Sequence, residues 1–156
     1  MTVNYPLEVS ILTVLIAQLL KLPIHYFIYQ KWVPTIIFST GGMPSSHCAF
    51  VSALTLSLAL TEGIASPLFA ISFVLAGIVI HDSIGIRREA GKHATVLNDM
   101  KKEFYDIINE LNKGKAKNKL IVGKRLKELL GHEPIEVISG MLLGITFVLI
   151  TYYFFL

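Results

Sequence analysis

Cysteine is almost absent from this sequence, charge is scarce, and basic residues are missing from most of its length. The single cysteine, Cys48, excludes an internal disulfide and any metal site built on several thiolates; a small packing residue is the expected role. Charged residues make up 16% of a chain that is 53% hydrophobic, with a mean hydropathy of +0.62, which excludes an ordinary soluble domain. No internal repeat is evident. No nucleic-acid motif accompanies the basic residues, so no nucleic-acid partner is expected. The first apolar run lacks the basic start and the small-residue cleavage site of a signal peptide, so it is read as a retained span.

What is present is apolar length. Four runs, at about 7–29, 47–61, 67–84 and 135–156, approach or reach the roughly 20 residues that a helix needs to cross a bilayer. The second is short and the first is interrupted by Lys21. At 156 residues the chain is one domain, 1–156. The expectation is an all-α membrane bundle of about four spans in the cell membrane, with a cytoplasmic amphipathic helical segment.

Charge is distributed very unevenly. Of 14 Lys and Arg, all but Lys21 and Lys31 lie between Arg87 and Lys127, so the positive-inside rule puts residues 85–131 in the cytoplasm. Alternation then places both termini outside. It also brings "GGMPSSH", the Arg87–His93 region and His132 to one face of the membrane. Inside the basic segment, Leu97, Met100, Phe104, Ile107 and Leu111 recur at spacings of three and four. This predicts an amphipathic helix lying at the interface. The polar run at 113–119 reads as a flexible linker, 120–130 as a second short amphipathic helix ended by Gly131, and Pro134 suits the first turn of the last span.

Several polar groups sit where they are costly. Lys21 and Asp82 each follow a long apolar run. They either snorkel to the interface or face the bundle interior, with an ion pair between Asp82 and Lys21 or Arg87 as a structural alternative. His132 and Glu136, four residues apart, share a helix face. Either the glutamate simply favours a helix start, or it takes one imidazole nitrogen and leaves the other as a nucleophile or base. In "GIRREAGKHA", Arg87, Arg88 and Lys92 form a dense cationic group suited to phosphate oxygens, or else a plain topology signal. The flanking Gly85 and Gly91 lead us to expect a shaped loop there.

Three motifs in order carry a resemblance. "MPSSH" resembles the second motif of the type 2 phosphatidic acid phosphatase superfamily, and "GHEPIEVISGMLLG" resembles its third. Together with "DSIGIRREAGKHATVLN" they resemble that superfamily's divergent bacterial branch, from about residue 18 to 144. The resemblance implies His132 as nucleophile, Glu136 as the acid that orients it, and His47 as general acid. It implies Ser45 and Ser46 as a phosphate-binding turn, with no metal or other cofactor needed. Glu136 stands where the superfamily has Asp. Its first motif is echoed only by Lys21 and Pro23, and Leu126 occupies the place of a third-motif arginine, beside Arg125. Phosphate contact is therefore assigned to Lys21, Arg87 or Arg88, with Lys92 beside them, and Asp82 and His93 supporting.

The function these readings imply is a metal-independent phosphatase acting, through a phosphohistidine, on a lipid or polyprenyl phosphate at the cytoplasmic face. The alternative is a binder or transporter of anionic lipid phosphates without turnover. Halide oxidation shares the anion site but suits the membrane setting poorly. Membrane lipid is the expected partner, and a homo-oligomer is compatible with the sequence. The topology is testable by labelling single cysteines from each side after replacing Cys48. Gly114→Cys should react only from the cytoplasm; reaction from outside would place the face that carries the motifs on the other side of the membrane.

Overall fold

The computed structural model describes residues 4–39, 41–111, 126 and 132–155, without the side chains of Arg87, Asn109 and Phe155. The linker at 113–119, most of the expected helix at 120–130, and Gly131 lie outside the described residues. The described residues form five α-helices: α1 Tyr5–Tyr29, α2 Ser46–Thr61, α3 Pro67–Ile84, α4 Ile86–Leu111 and α5 Pro134–Phe155, with a 3-10 turn at Pro34–Phe38 between α1 and α2. The architecture is all-α. The four apolar helices fall within two residues of their expected bounds. α1, α3 running on into α4, and α5 are long and apolar enough to span a membrane; α2 is shorter.

Helix ends follow local chemistry. Asn4 caps α1 by accepting from Leu7 N–H at 3.2 Å, with Pro6 in the first turn. Gln30 closes α1 in the left-handed region at φ 53°. Ser45 and Ser66 cap α2 and α3 through their hydroxyls. Gly42, at φ +92°, supplies in the turn before α2 a conformation that residues with a Cβ rarely adopt.

α2 is the central element and packs against α1, α3 and α5. Its 16 residues span only about 24 Å, short of the roughly 30 Å hydrocarbon core. Non-helical backbone at such depth is tolerated where protein buries it, and Ser45 and Ser46 are almost fully buried. The helix interfaces are made of small and hydroxyl residues: Ser10, Thr13 and Ala17 on α1, Cys48, Ala49, Ala53 and Ser57 on α2. The hydroxyls return their hydrogens to their own helices, as in Ser10 to Pro6 O at 2.6 Å and Thr13 to Val9 O at 2.6 Å. They therefore pack closely at no cost in unsatisfied polar groups. Large apolar side chains such as Leu15, Leu19, Ile71, Phe73 and Leu149 point outward, the inversion expected of a bundle whose solvent is lipid.

α5 meets α2 through Gly140 and Gly144, a four-residue spacing of small residues. A Cβ on Gly140 would overlap the Ser45 carbonyl oxygen; one on Gly144 would lie 2.5 Å from Ala49 O. Aromatic groups mark both ends of the bundle. Tyr26, Tyr29, Trp32 and Phe38 stand exposed near the C-terminal end of α1. At the other end the Tyr5 hydroxyl bonds Thr151 Oγ1 at 2.9 Å, and Tyr153 and Phe154 are exposed. Two such belts are the pattern of a protein anchored at both interfaces.

One expectation is corrected. "GIRREAGKHA" is the start of α4, not a shaped loop. A lone interior glycine costs a helix only about 1 kcal/mol, and the Arg, Glu, Ala and Lys around Gly91 are strong helix formers. The apolar stripe from Leu97 to Leu111 is exposed, while Gly91, Ala94 and Asn98 are buried. Asn98 bonds Leu126 in both directions, donating to its carbonyl at 3.0 Å and accepting its N–H at 3.1 Å.

The α2–α5 contact yields a stability prediction. Gly140→Ala and Gly144→Ala should each lower the thermal midpoint in detergent, by the roughly 1–3 kcal/mol of an overpacked core. Gly77→Ala, where an added Cβ meets nothing within 4 Å, should leave it unchanged or raise it. Equal behaviour of the three variants would show that the close approach is not a constraint.

Candidate functional site

The polar residues gather where the C-terminal ends of α1 and α3 meet the N-terminal ends of α2 and α5. Two backbone bonds set the frame. His132 N–H donates to Ser83 O at 3.0 Å, tying the approach to α5 onto the end of α3. Ser45 N–H donates to Glu136 O at 2.9 Å, tying the turn before α2 onto the first turn of α5. The Cys48 thiol lies among the hydroxyls of Ser45 and Ser83 and is fully buried, the packing role expected for it.

His132 is 3% exposed, and its Nδ1 lies 2.9 Å from Glu136 Oε2. An ionised carboxylate only accepts, so Nδ1 carries the hydrogen. The same Oε2 accepts the Glu133 N–H at 3.2 Å, which is the side-chain-to-cap half of a capping box. The glutamate therefore does two things at once: it caps the helix start and holds one nitrogen of the imidazole. The other ring nitrogen, Nε2, is buried and has no hydrogen-bond partner among the described residues, an exception to the near-universal pairing of buried polar atoms.

The His47 ring, exposed on the first turn of α2, lies 6.4 Å from that of His132, centroid to centroid, inclined at 57°. Ser45 caps α2, its Oγ accepting the Cys48 N–H at 3.4 Å. Ser46 is the first residue of the helix, where a backbone N–H has no acceptor within the helix. The N-terminal end of α2, carrying partial positive charge, thus opens beside His132.

Lys21 is completely buried, so it does not snorkel. Its Nζ donates to Ser39 O at 2.9 Å and lies within electrostatic reach of Glu136. This is the partner in place of the Asp82 considered from sequence. An ammonium has three donors, and among the described residues Ser39 O is the acceptor for one of them. Ser39 in turn donates its hydroxyl to Gly41 O at 2.6 Å, stiffening the stretch before the turn.

The structure thus brings together His47, His132, Glu136, Ser45, Ser46 and Lys21. Asp82, half-buried on α3, lines a separate cleft of about 440 Å³ with His81 and Ile86. Arg88, Lys92 and His93 lie on α4, which among the described helices touches only α3, its neighbour in the chain. Lys92 is paired with Glu89 at 2.6 Å. The Arg87 side chain lies outside the described residues. Among the described residues no group of three His, Cys, Asp or Glu could hold a metal ion.

Sequence reasoning missed Gln18, whose Oε1 is buried without a hydrogen-bond partner among the described residues, one helical turn before Lys21. A polar residue three positions from an intramembrane lysine was the available signal. It also could not find the Ser39 and Ser83 carbonyls, because a backbone acceptor leaves no mark in a sequence.

A family model described as the Divergent PAP2 family matches residues 2–147. The chain belongs to the Divergent PAP2 family. It is also 44% identical over 156 residues to the uncharacterized membrane protein YuiD of Bacillus subtilis (strain 168), an alignment covering 98% of this chain and 97% of that protein. No solved structure matches. Membership of the Divergent PAP2 family agrees with the resemblance of the three motifs and with a membrane setting, and it suggests phosphatase-related chemistry.

If this pocket holds an anion, inorganic phosphate or vanadate should protect the protein against heat. Lys21→Met should weaken that protection about tenfold or more, since a hydrogen bond to a charged group contributes about 1.5–3 kcal/mol. Arg88→Ala and Lys92→Ala, on α4, should change it little. The opposite ranking would move the cradle onto α4.

Proposed function

We propose that the protein is a lipid phosphate phosphatase whose nucleophile is His132, working at the cytoplasmic interface on a phosphomonoester or pyrophosphate of a lipid or polyprenyl carrier. The observation that carries this reading is the buried, unpartnered Nε2 of His132 with its Nδ1 committed to Glu136. An anion-binding site has no use for an acceptor lone pair, which repels phosphate oxygens. A nucleophile requires one. The cytoplasmic side follows from the clustered basic residues, and the lipid substrate from a site at one end of an apolar bundle beside exposed aromatic residues.

In this mechanism Lys21, the Ser46 amide and the positive end of α2 hold the non-bridging oxygens. His132 Nε2 attacks phosphorus, an N–P bond forms, and the P–O bond to the lipid oxygen breaks. Protonated His47 gives its proton to that oxygen. The imidazolium of His132 is stabilised through Nδ1–H by Glu136, as a triad carboxylate stabilises its histidine. Neutral His47 then takes a proton from water, whose oxygen attacks phosphorus; the N–P bond breaks and phosphate leaves. Splitting one displacement into two is the advantage of a covalent intermediate.

A second reading, binding or transport of the same lipids without turnover, is favoured by one feature. Lys21 is the single cation among the described side chains of the cluster, whereas phosphoryl transfer is helped by several. Phosphate release from a panel of lipid phosphates, in detergent with excess chelator, separates the two. His132→Ala should abolish release while leaving lipid binding largely intact, because the nucleophile acts mainly in the transition state. His47→Ala should recover on aryl phosphates, whose leaving groups need little protonation. Glu136→Gln should fall between, since an amide accepts a hydrogen bond without stabilising a charged ring. A parent without turnover, with all three variants changed in affinity alone, would establish the binder. Equal release by the parent and His132→Ala would remove the nucleophile assignment.

A further inference from the structure

Gln18 is the buried polar group that the proposed chemistry leaves unused. Its Oε1 is enclosed and has no hydrogen-bond partner among the described residues. Nearby hydroxyls on α1 avoid that cost, since Ser10 and Thr13 bond carbonyls of their own helix. An amide oxygen only accepts, so Gln18 has to be met by a donor from elsewhere. Its flank of α1 shows from where. Val9 packs against Ala53 of α2 and Val148 of α5, and Gln18 follows Val9 by nine residues, about two and a half turns. Gln18 therefore lies on the side of α1 turned away from α5. That side borders a gap, because α1 and α3 each pack on α2 and α5 but, among the described residues, not on each other. The face of α2 toward the gap is found in the same way. Leu56 packs on the α5 side and follows His47 by nine residues, while Leu54 and Leu58 continue the His47 face at about two and three turns. His47 is exposed and both leucines are half-buried, as in a floor between two walls.

We propose that Gln18 sets substrate specificity, its Oε1 accepting the hydrogen of a free hydroxyl that the lipid carries close behind its phosphate. With the phosphate placed as in the reading above, on which this rests, the lipid has one way to run. His132 stands directly before α5, its Nδ1 on Glu136, so Nε2 attacks from the α5 side. In-line displacement puts the leaving oxygen opposite, on the side of the His47 ring. The lipid beyond that oxygen then enters the gap between α1 and α3, over Leu54 and Leu58. From His47 to Leu58 is eleven residues, about 16 Å, or about half the hydrocarbon core, which suits a chain from one leaflet. Gln18 lies three residues deeper than Lys21 on α1, about 4.5 Å along the axis. That is the depth of the first carbons behind a phosphate held by Lys21, not of the hydrocarbon tail. A hydroxyl on the carbon next to the ester carbon supplies a donor there. A polyprenyl phosphate and a fully acylated glycerol phosphate have none. The class selected is therefore the phosphate monoester of a monoacylated glycerol or of a similar lipid diol.

The test reads binding and so does not depend on turnover. The full chain with His132→Ala, in phosphatidylcholine nanodiscs, is titrated with three lipids, and the rise in melting temperature gives the affinity. The lipids are a monoacylglycerol phosphate with a free hydroxyl beside the phosphate-bearing carbon, its analogue with hydrogen in place of that hydroxyl, and the diacyl lipid. The hydroxyl lipid should bind about three- to tenfold more tightly than its deoxy analogue, the range of one neutral hydrogen bond. Adding Gln18→Met, which keeps the length and drops the amide, should remove that preference. It should also hold or raise the melting temperature without lipid, since an unpaired polar atom is deleted; a merely structural glutamine would lower it and leave the preference intact. Equal binding of the hydroxyl and deoxy lipids before any change at Gln18 would overturn the proposal, as would a preference that survives Gln18→Met. A preference for the diacyl lipid that Gln18→Met removes would also overturn it, since the amide would then donate to an ester carbonyl. Phosphate release by the parent is measured alongside. A hydroxyl preference without release would support Gln18 and remove the phosphatase reading, whereas release without the preference would do the reverse.

Discussion

The contact between the Ser45 backbone and the first turns of α5 is the constraint on which the rest depends. Ser45 donates its N–H to Glu136 O at 2.9 Å, and Gly140 lets the Ser45 carbonyl lie against the helix where any Cβ would intrude. One residue thereby sets the start of α2, its cap and its distance from α5. The helix that ends in a positive dipole is held beside the helix that carries His132 and Glu136, through backbone atoms that cannot change rotamer. Gly144 repeats the approach one turn on, so α2 and α5 are aligned over two turns, not pinned at a point.

Within that frame the polar groups divide between satisfied and unsatisfied. Glu136 Oε2 accepts from His132 Nδ1 and from Glu133 N–H. Ser39 takes one donor of Lys21. What remains unmatched is an acceptor, His132 Nε2, facing a region otherwise rich in donors. Low dielectric makes an unpaired polar atom costly and makes electrostatic contacts to a bound anion stronger. Gln18, a further acceptor without a partner one turn deeper along α1, extends the polar track beyond the residues that the motifs name.

The short central helix and the long peripheral one solve different problems. α2 is short, and α1, α3 and α5 pack around it, with Ser45 and Ser46 buried at its N-terminal turn. α4 keeps only its chain neighbour α3 among the described helices and exposes an apolar stripe.

Sequence by itself determined the spans, because apolar length and basic clustering are local properties that a bilayer reads directly. It also pointed to a pairing of His132 with Glu136, although His132 stands before α5 and meets the Glu136 carboxylate from outside the helix, and to the chemical types present at "PSSH". It erred at Gly91, where propensity over 26 residues outweighed one glycine. Only the tertiary structure decided which cation joins the histidines. Lys21, Arg87 and Arg88, with Lys92 beside them, were the candidates by charge; burial of α1 holds Lys21 beside Glu136, while Arg88 and Lys92 stand on α4, which among the described helices touches only α3. Only the tertiary structure, too, could reveal that His132 Nε2 has no partner among the described residues. Whether an atom is satisfied depends on every other element that reaches it, and no local spacing records that.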